Sequence, residues 1–333
     1  MQRQQQVTEW LHRQFPGETF TLAPASADAS FRRYFRATFT KRTLIVMDAP
    51  PQREDCRPFL HIAKLFEEAG SHVPHVYAQD LQQGFLLLSD LGSTTYLQAM
   101  CGGDTSMARE LYGAATDVLI NIQLASHENE LPLYDEALLL REMRLFPEWY
   151  IAKHLGITLN EKQVAILEEC FRRIVRNNLA QPRVYVHRDY HSRNLMVAEP
   201  NPGILDFQDA VYGPITYDLA SLFKDAYIRW EEKEIMDWLI RYWEKARKAG
   251  LPVREDFGEF YRDYEWMGVQ RHIKVLGIFA RLYHRDGKDG YLKDLPLVMD
   301  YLYRACERYL DLKPLLNLLD ELEPRGKQEG YTF

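Results

Sequence analysis

The residues best suited to chemistry are two aspartates and an asparagine in the second half of the chain. Asp189 is followed by Asn194 five residues later and by Asp206 twelve residues after that. Carboxylate and amide oxygens bind hard cations, and a carboxylate can accept a proton from a hydroxyl group. The elements between these residues decide whether the three side chains can act together.

A short β-hairpin is predicted between Asn194 and Asp206. The apolar runs 195–197 and 203–205 flank a segment rich in proline and other turn formers. A turn centred on Pro200 would set Asn194 directly opposite Asp206. We therefore predict that these two residues bind a hard cation at one end of the hairpin. Asp189 lies just upstream and is predicted to accept the proton of an acceptor hydroxyl.

Turn residues alone are a weak signal, because Asp and Asn are common in loops. Here a predicted strand at 184–186 precedes the loop, His187 stands two residues before Asp189, and Phe207 follows Asp206. The combined order matches the catalytic and metal-binding loops of kinases. A composite signal of this length favours a functional site over an incidental turn.

The loop resembles that of the aminoglycoside phosphotransferase and choline kinase superfamily, which typically reads H-G-D-x-H-x-x-N. His191 stands at the second histidine of that pattern, and residues 213–220 resemble the superfamily's G-D-P-x-Y-D-L-A stretch. The resemblance implies that Asp218 supports the catalytic loop, although capping of the following helix would explain Asp218 equally well. We add His187 as a second supporting residue and His191 as a candidate to contact the substrate.

A nucleotide-binding region is expected near residue 90. Residues 85–92 resemble the strand-to-hinge connection that holds adenine through backbone groups in kinases, so Ser89 and Leu91 are the candidates for base contacts. A buried strand that ends in a turn is the alternative. The segment 26–30 lies where the phosphate loop should be, yet it contains no glycine. Its backbone amides and Ser30 could still face phosphate.

The strand that usually carries a phosphate-binding lysine has none. Val46 or Met47 occupies that position. Arg32 and Arg36 share one face of the preceding strand, and a guanidinium group can neutralise phosphate through two parallel hydrogen bonds. We therefore predict that one of these arginines replaces the lysine. Solvent-exposed arginines with no ligand are the alternative.

The secondary-structure pattern changes near residue 93. Before it, short strands surround one helix, and after it the chain is mostly helical, with one helix behind a capping Asn160. The pattern predicts an α+β, protein-kinase-like fold with a small β-rich N-lobe at 1–92, a larger α-helical C-lobe at 93–333, and ATP between them. The elements predicted in the first part are strands 30–38, 44–47 and 85–88 and helix 59–69.

Nearly the whole chain resembles the bacterial kinases that phosphorylate the anomeric hydroxyl of N-acetylmuramate and N-acetylglucosamine during cell-wall recycling. This family is similar in lacking both the glycine-rich loop and the strand lysine. The resemblance implies a sugar 1-phosphate as product, ATP and Mg²⁺ as cofactors, and a small-molecule amino sugar as binding partner. The segments that carry it are 28–34, 47–51, 146–150 and 268–282.

Two further groups of residues are candidates to bind the sugar. Glu148, Trp149 and Tyr150 combine a carboxylate with flat aromatic faces, although aromatic residues at helical spacing more often belong to the core. Arg271 and its neighbour His272 fall on the apolar face of a predicted helix. A buried arginine needs an anionic partner, either a carboxylate of the core or an anionic ligand.

Composition and charge argue against several other classes of protein. The 333 residues carry a formal net charge of −7 with no basic stripe, which argues against nucleic-acid binding. The four cysteines have no C-x-x-C spacing, which argues against a zinc site. No apolar run reaches the roughly 20 residues of a membrane span, so we expect a cytoplasmic protein with no membrane partner. Oligomeric state is left open.

Two other functions remain open from the sequence. A related kinase for an aminoglycoside, choline or a similar amine would need an acidic acceptor site, whereas a muramate kinase needs a basic group there. A non-catalytic nucleotide-binding protein would agree with the missing lysine. Such a protein, however, has no need to keep Asp189, Asn194 and Asp206 together.

Overall fold

The computed structural model describes residues 2–27 and 31–324, which form two compact units. Unit 1 comprises the residues up to Ile122 together with Arg193–Ala210. Unit 2 comprises Gln123–Ser192 together with the residues from Val211 onward. The lobe boundary that the sequence predicts after residue 92 therefore lies within unit 1.

A five-stranded antiparallel sheet with strand order β1-β2-β3-β5-β4 dominates unit 1. The sequence patterns indicate β2, β3, β5 and α2, but not α1, β1 or β4. Strand β1 contains Pro24 next to a register shift, and β4 has no fully buried residue, so neither shows the compact apolar run of a buried strand. The elements are α1 Gln2–Gln14, β1 Phe20–Ala27, β2 Arg33–Phe39, β3 Thr43–Asp48, α2 Arg57–Glu68, β4 Val76–Asp80, β5 Phe85–Ser89, α3 Tyr96–Met100, α4 Thr105–Leu124, β7 Leu195–Met196 and β8 Gly203–Ile204.

Helix α1 covers one face of this sheet. Trp10 of α1 is 2% exposed, its ring lies 5.6 Å from that of Phe85, and both belong to one core cluster with Phe35 of β2. Burying a phenylalanine side chain contributes about 1.5 to 3 kcal/mol to stability. Because side chains alternate along a strand, this packing leaves Tyr34 and Arg36 on the opposite face of β2.

A 30-residue helix, α9, is the central element of unit 2. Asp256 caps it by accepting a hydrogen bond from the backbone N–H of Glu259, and Gly287 ends it in a left-handed conformation. Its predicted apolar face is buried, with Arg271 3% and His272 1% exposed. The elements of unit 2 are α5 Glu136–Met143, a π-helix Phe146–His154, α6 Glu161–Leu179, β6 Arg183–Val186, β9 Val211–Pro214, α7 Tyr217–Phe223, α8 Glu232–Ala249, α9 Phe257–Asp286, a 3₁₀-helix Asp289–Asp294, α10 Leu295–Arg308, a 3₁₀-helix Leu310–Leu312 and α11 Lys313–Leu322.

Two local predictions for unit 2 can be compared directly with the structure. The side chain of Asn160 accepts a hydrogen bond from Gln163 N, and the side chain of Gln163 accepts one from Asn160 N, each at 3.0 Å, which confirms the predicted helix start. The strand predicted at 184–186 is β6. It pairs antiparallel with β9, which the sequence did not indicate.

No helix in the described part of the chain combines the length and the apolar character that a membrane crossing requires.

Gly84, in the turn between β4 and β5, should be intolerant of a side chain. Its φ is +73°, and an added Cβ would lie 1.9 Å from the carbonyl oxygen of Ala49. We expect Gly84→Ala to lower the free energy of unfolding by more than about 2 kcal/mol, because the clash adds to the left-handed backbone strain. The matched control is Gly17→Ala, where φ is +82° and no atom lies within 4 Å of the added Cβ. Urea titration of both variants measures the difference, and equal losses would contradict the packing argument.

Candidate active site

Asn194 and Asp206 meet at the end of the β7–β8 hairpin in unit 1. Nδ2 of Asn194 donates to Oδ2 of Asp206 at 3.3 Å, and Nε2 of Gln208 donates to Oδ1 of Asp206 at 2.8 Å. A flip of the Asn194 amide would turn its oxygen toward the same carboxylate, since the two ends of an amide have nearly the same shape. The hairpin therefore brings together two side chains whose oxygen atoms could bind a metal ion.

The register of this hairpin differs by one residue from the prediction. Leu195 pairs with Ile204, and Leu205 donates its backbone N–H to the carbonyl oxygen of Asn194 at 2.9 Å. The prediction that Asn194 and Asp206 stand directly opposite was therefore wrong. Asp206 instead leaves the ladder with φ +62°, a left-handed conformation that Asp adopts more readily than most residues. This turn of the backbone, not cross-strand pairing, brings the two side chains together.

Phe207 fixes the position of Asp206 from behind. Its side chain is fully buried, and its ring lies 4.8 Å from that of Phe59 and 6.0 Å from that of Phe66 in α2. Aromatic contacts at these distances stabilise a single arrangement of the rings. The carboxylate that follows β8 is thus attached to the core of unit 1.

A cavity of about 440 Å³ opens beside Asn194 and Asp206, and both residues line it. Ile45 and Leu88 form part of its mainly apolar wall. Ser89 and Leu91, the candidates for base contacts, and Tyr34 from the free face of β2 also line it. A concave site of this size with few polar groups is typical of small-molecule binding.

Arg36 lines the cavity, but its guanidinium is already engaged within unit 1. Nε donates to Asp90 Oδ2 at 2.6 Å, while Nη2 donates to Asp90 Oδ1 at 3.0 Å and to the carbonyl oxygen of Gly92 at 2.8 Å. Burial opposes ionisation of Asp90, but hydrogen bonds from Arg36, Thr43 and the backbone of Gly92 together outweigh it and lower the pKa of Asp90. Arg36 thereby orders the segment that carries Ser89 and Leu91.

Arg32 has a different environment, close to the proposed metal-binding residues. Its Nη2 lies 3.3 Å from Oε2 of Glu54, and its side chain is 12% exposed. Burial opposes the charge of Arg32, but Tyr34, Glu54 and the carboxylates of Asp209 and Asp206 outweigh it and raise the pKa of Arg32. Arg32 is therefore the better placed of the two arginines to meet phosphate. Ser30, the other predicted phosphate contact, lies outside the described residues.

Asp189 belongs to unit 2, in the loop after β6, and is half-buried. Burial alone would raise the pKa of Asp189, but Lys274, His191 and Arg188 outweigh this effect and lower the pKa to about 2. The carboxylate is therefore ionised at neutral pH. In this state it can accept a hydrogen bond from a hydroxyl group.

Hydrogen bonds to a buried carboxylate hold the first half of this loop. Asp218 accepts the backbone N–H of His187 at 2.7 Å and that of Arg188 at 3.0 Å. Its carboxylate does not occupy the N-cap position of α7, which belongs to Thr216. The Nδ1 of His187 accepts the backbone N–H of Asp189 at 3.2 Å. These contacts support the left-handed backbone of Arg188, whose φ is +77°.

Asp225, which the sequence analysis did not single out, holds the second half of the loop. Ser192 donates both its backbone N–H, at 3.0 Å, and its hydroxyl to Asp225, which is fully buried. Between the two anchors, His191 is 8% exposed, and its ring meets that of Tyr227 edge-on at 5.4 Å. A carboxylate therefore fixes the loop on each side of Asp189.

Glu142 and Lys274 are further residues that sequence reasoning missed. Glu142, on α5, is 6% exposed, and the Nζ of Lys274 lies 3.2 Å from its Oε1. Lys274 stands three residues after Arg271 on the same face of α9, a spacing that could have identified it, whereas only burial reveals Glu142. The hydrogen-bond or ion-pair partners of Glu142 are Tyr134, Arg188, Gln270 and Lys274.

Arg271 lies near these residues without a direct carboxylate partner. Among residues 2–27 and 31–324, no carboxylate forms an ion pair with Arg271, and its Nη1 is buried with no hydrogen bond. Its charge nevertheless favours the ionised forms of Asp189 and Asp218. Its neighbour His272 stays neutral, because burial lowers the pKa of His272 well below its ordinary value.

Glu148, Trp149 and Tyr150 lie in the π-helix of unit 2. The hydroxyl of Tyr150 donates to Glu323 at 2.6 Å, its ring stacks on Phe146 at 5.2 Å, and it lines a second cavity. Glu148 is exposed and Trp149 is half-buried. Within the part of the chain that the structure describes, no hydrogen bond or ring contact joins these three residues to the groups around Asp189. Their contact with the substrate stays a prediction.

Residues 21–257 match the family model described as "Phosphotransferase enzyme family". The chain belongs to this family. The phosphotransferase is 51% identical over 337 residues to a protein of Neisseria meningitidis serogroup B named N-acetylmuramate/N-acetylglucosamine kinase, and the match covers 100% of both chains.

Solved structures share the fold of this phosphotransferase. A choline kinase from Streptococcus pneumoniae has a TM-score of 0.62 at 14% identity, with 91% of this chain and 100% of that chain covered. An ADP-bound aminoglycoside phosphotransferase has a TM-score of 0.59 at 14% identity, with 89% and 97% covered. At these identities the likeness concerns the fold alone. It confirms the protein-kinase-like α+β fold expected from the sequence.

A series of nucleotides with increasing phosphate number should separate the two arginines of the phosphotransferase. We expect Arg32→Met to weaken ATP binding by about 10-fold or more and to leave adenosine binding nearly unchanged, because Arg32 would meet only phosphate. Arg36→Met should weaken the binding of adenosine, AMP, ADP and ATP by a common factor, because Arg36 orders the segment that would hold the base. Isothermal titration calorimetry measures all four affinities. If the loss in Arg36→Met grew with phosphate number, Arg36 would be the phosphate ligand instead.

Proposed function

We propose that the protein transfers the γ-phosphoryl group of Mg·ATP to the anomeric hydroxyl of N-acetylmuramate and N-acetylglucosamine, giving the sugar 1-phosphates. The observation that carries this proposal is the match along the whole chain to a kinase named for both sugars. Such a reaction belongs to peptidoglycan recycling and, since ATP is the donor, to the cytoplasm.

The nucleotide would occupy the cavity of unit 1. Its base would lie against the segment with Ser89 and Leu91, and its phosphates would extend toward Asn194 and Asp206, since both groups of residues line the same cavity. Arg32 would neutralise part of the phosphate charge, with Glu54 holding the guanidinium in place. This arrangement needs neither a glycine-rich loop nor a strand lysine.

The residues at the hairpin end fit Mg²⁺. The described residues contain no cluster of three or more His, Cys, Asp or Glu side chains able to hold a metal by themselves. Mg²⁺ in nucleotide sites is typically bound by one or two protein oxygens, with phosphate and water completing the octahedron, so Asn194 and Asp206 suffice. When bound, the ion would supply electrostatic stabilisation of the charge on the transferred phosphoryl group.

Asp189 would orient the acceptor hydroxyl and receive its proton. A pKa of about 2 keeps Asp189 ionised, so it contributes chiefly by fixing the hydroxyl oxygen for in-line attack on phosphorus. An anomeric hydroxyl is more acidic than an ordinary alcohol, so a weak base is adequate. The anchoring of the loop by Asp218 and Asp225 would hold the carboxylate in that position.

The rival functions are less well supported. A kinase for choline or an aminoglycoside binds a cationic acceptor, but Asp189 is surrounded by Arg188, Arg271 and Lys274, which would repel a cation. A non-catalytic protein would have no use for an anchored, ionised Asp189. The proposal for an amino-sugar acceptor agrees with both observations.

Turnover with a panel of acceptors tests the proposal. The protein is incubated with Mg·ATP and, separately, N-acetylmuramate, N-acetylglucosamine, choline and kanamycin, while ADP release is followed. We expect release with the two sugars only, and ³¹P NMR of the product should identify phosphate on the anomeric oxygen. Release with choline or kanamycin but with neither sugar would reject the proposed substrate class.

Two substitutions should separate catalysis from metal binding. Asp189→Asn should lower kcat by about 10² to 10⁴ and leave ATP affinity unchanged, as expected for loss of a positioned base. Asp206→Ala should abolish the Mg²⁺ dependence of ATP binding, because the carboxylate ligand is lost. Steady-state kinetics and calorimetry with and without Mg²⁺ measure these effects. Near wild-type turnover in Asp189→Asn would remove this residue from the mechanism.

A further inference from the structure

Unit 2 buries an excess of positive charge around Asp189. The arginine and lysine side chains that act on Asp189 are Arg188, Arg271 and Lys274. Two of them, Arg188 and Lys274, form ion pairs with the same carboxylate, Glu142. Burial raises the pKa of Asp218 to about 7, so this carboxyl is partly protonated at neutral pH and offsets less than one full charge. We call this group of six residues the acceptor cluster: Glu142, Arg188, Asp189, Asp218, Arg271 and Lys274.

Arg271 is the cation of the acceptor cluster that forms no ion pair with a carboxylate among the described residues. Its side chain is 3% exposed, and Nη1 is buried without a hydrogen bond to any residue in 2–27 or 31–324. Buried charges in proteins are normally paired, because an unpaired one is costly. Lys224, another buried cation of unit 2, illustrates the usual arrangement, since it pairs directly with the buried Glu265.

The residues around Arg271 indicate on which side of α9 its guanidinium lies. Lys274 stands three residues after Arg271 on the same face of α9, and its Nζ lies 3.2 Å from Oε1 of Glu142, which also pairs with Arg188 next to Asp189. This face of α9 is therefore directed toward the catalytic loop, and the charge of Arg271 favours the ionised forms of Asp189 and Asp218. Asp189 itself is half-buried, so the loop can be reached from solvent at this residue. A ligand hydroxyl held by Asp189 would therefore bring its other substituents near Arg271.

We propose that Arg271 binds the carboxylate of an acid-bearing sugar, the lactyl group of N-acetylmuramate, while Asp189 holds the anomeric hydroxyl. This inference rests on the proposed function, because it names the contact that tells the two sugars apart. N-acetylglucosamine lacks the lactyl group and so gains nothing from Arg271. The transferred phosphoryl group is the other anion available, but it is common to both reactions.

A cycle of protein and substrate changes isolates this contact. Wild-type protein and Arg271→Met are compared with N-acetylmuramate, its neutral lactyl amide and N-acetylglucosamine. In the wild type, kcat/KM should be about 10- to 150-fold higher for the acid than for the amide, the range of one charge-assisted hydrogen bond. In Arg271→Met this ratio should fall close to one, and kcat/KM should decrease far less for N-acetylglucosamine than for N-acetylmuramate.

Two further variants serve as controls. Arg271→Lys keeps the charge without the planar fork and should retain part of the preference for the acid. Lys224→Met removes a buried cation that has its own partner, so it should lower the melting temperature and affect all three substrates equally.

Several outcomes would overturn the role of Arg271. These are a wild-type enzyme with no preference for the acid over the amide, an undiminished preference in Arg271→Met, or equal losses on both sugars, which would indicate a structural cation or a phosphoryl contact. If Arg271→Met does not fold, the wild-type comparison can still refute the proposal, and the reduced preference expected in Arg271→Lys tests Arg271 itself. Turnover of neither sugar by the wild type would instead reject the proposed function itself.

Discussion

The catalytic loop depends on the pairing of buried charge in unit 2. Three carboxylates outside the loop motif hold it: Asp218 and Asp225 accept backbone N–H groups on either side of Asp189, and Glu142 offsets Arg188. In a low-dielectric interior each of these charges would destabilise the folded state if it were unpaired, so few other arrangements of these groups would be stable. The same charges keep Asp189 ionised, while Nη1 of Arg271 is buried without a hydrogen bond to any of the described residues.

In unit 1 the proposed ligand is a triphosphate, and the chain has Arg32 and Arg36 in the region where kinases usually carry a lysine. Arg36 is held by both oxygens of Asp90 and by Gly92, so a fork of three hydrogen bonds ties β2 to the segment that lines the cavity. Arg32 forms an ion pair with Glu54. A guanidinium suits both tasks because it is always charged and donates from a rigid plane. Strand β2 and the residue before it would thus order the proposed base-binding segment and supply a cation for phosphate.

Much of the fold and part of the site could be predicted from the sequence. The helix behind Asn160 and the buried face of α9 follow from local capping chemistry and from a 3.6-residue period. The hairpin between Asn194 and Asp206 follows from turn chemistry, but the apolar pattern records neither its register nor the left-handed backbone at Asp206 that brings the two side chains together. Strand β9 was missed because two of its four residues are Gly213 and Pro214, which are uncommon in strands.

The sequence by itself determined which groups are the candidates for the chemistry, because Asp189, Asn194 and Asp206 lie within one continuous stretch whose spacing sets what they can reach. Only the tertiary structure decided which partners those groups and the arginines have. Arg188 and Glu142 are 46 residues apart, and Arg36 and Asp90 are 54 residues apart. Pairing over such separations depends on where the folded backbone passes and how far water is excluded. Local periodicity cannot encode either quantity, so the sequence could name Arg36 as a candidate for phosphate but not show that Asp90 already holds it.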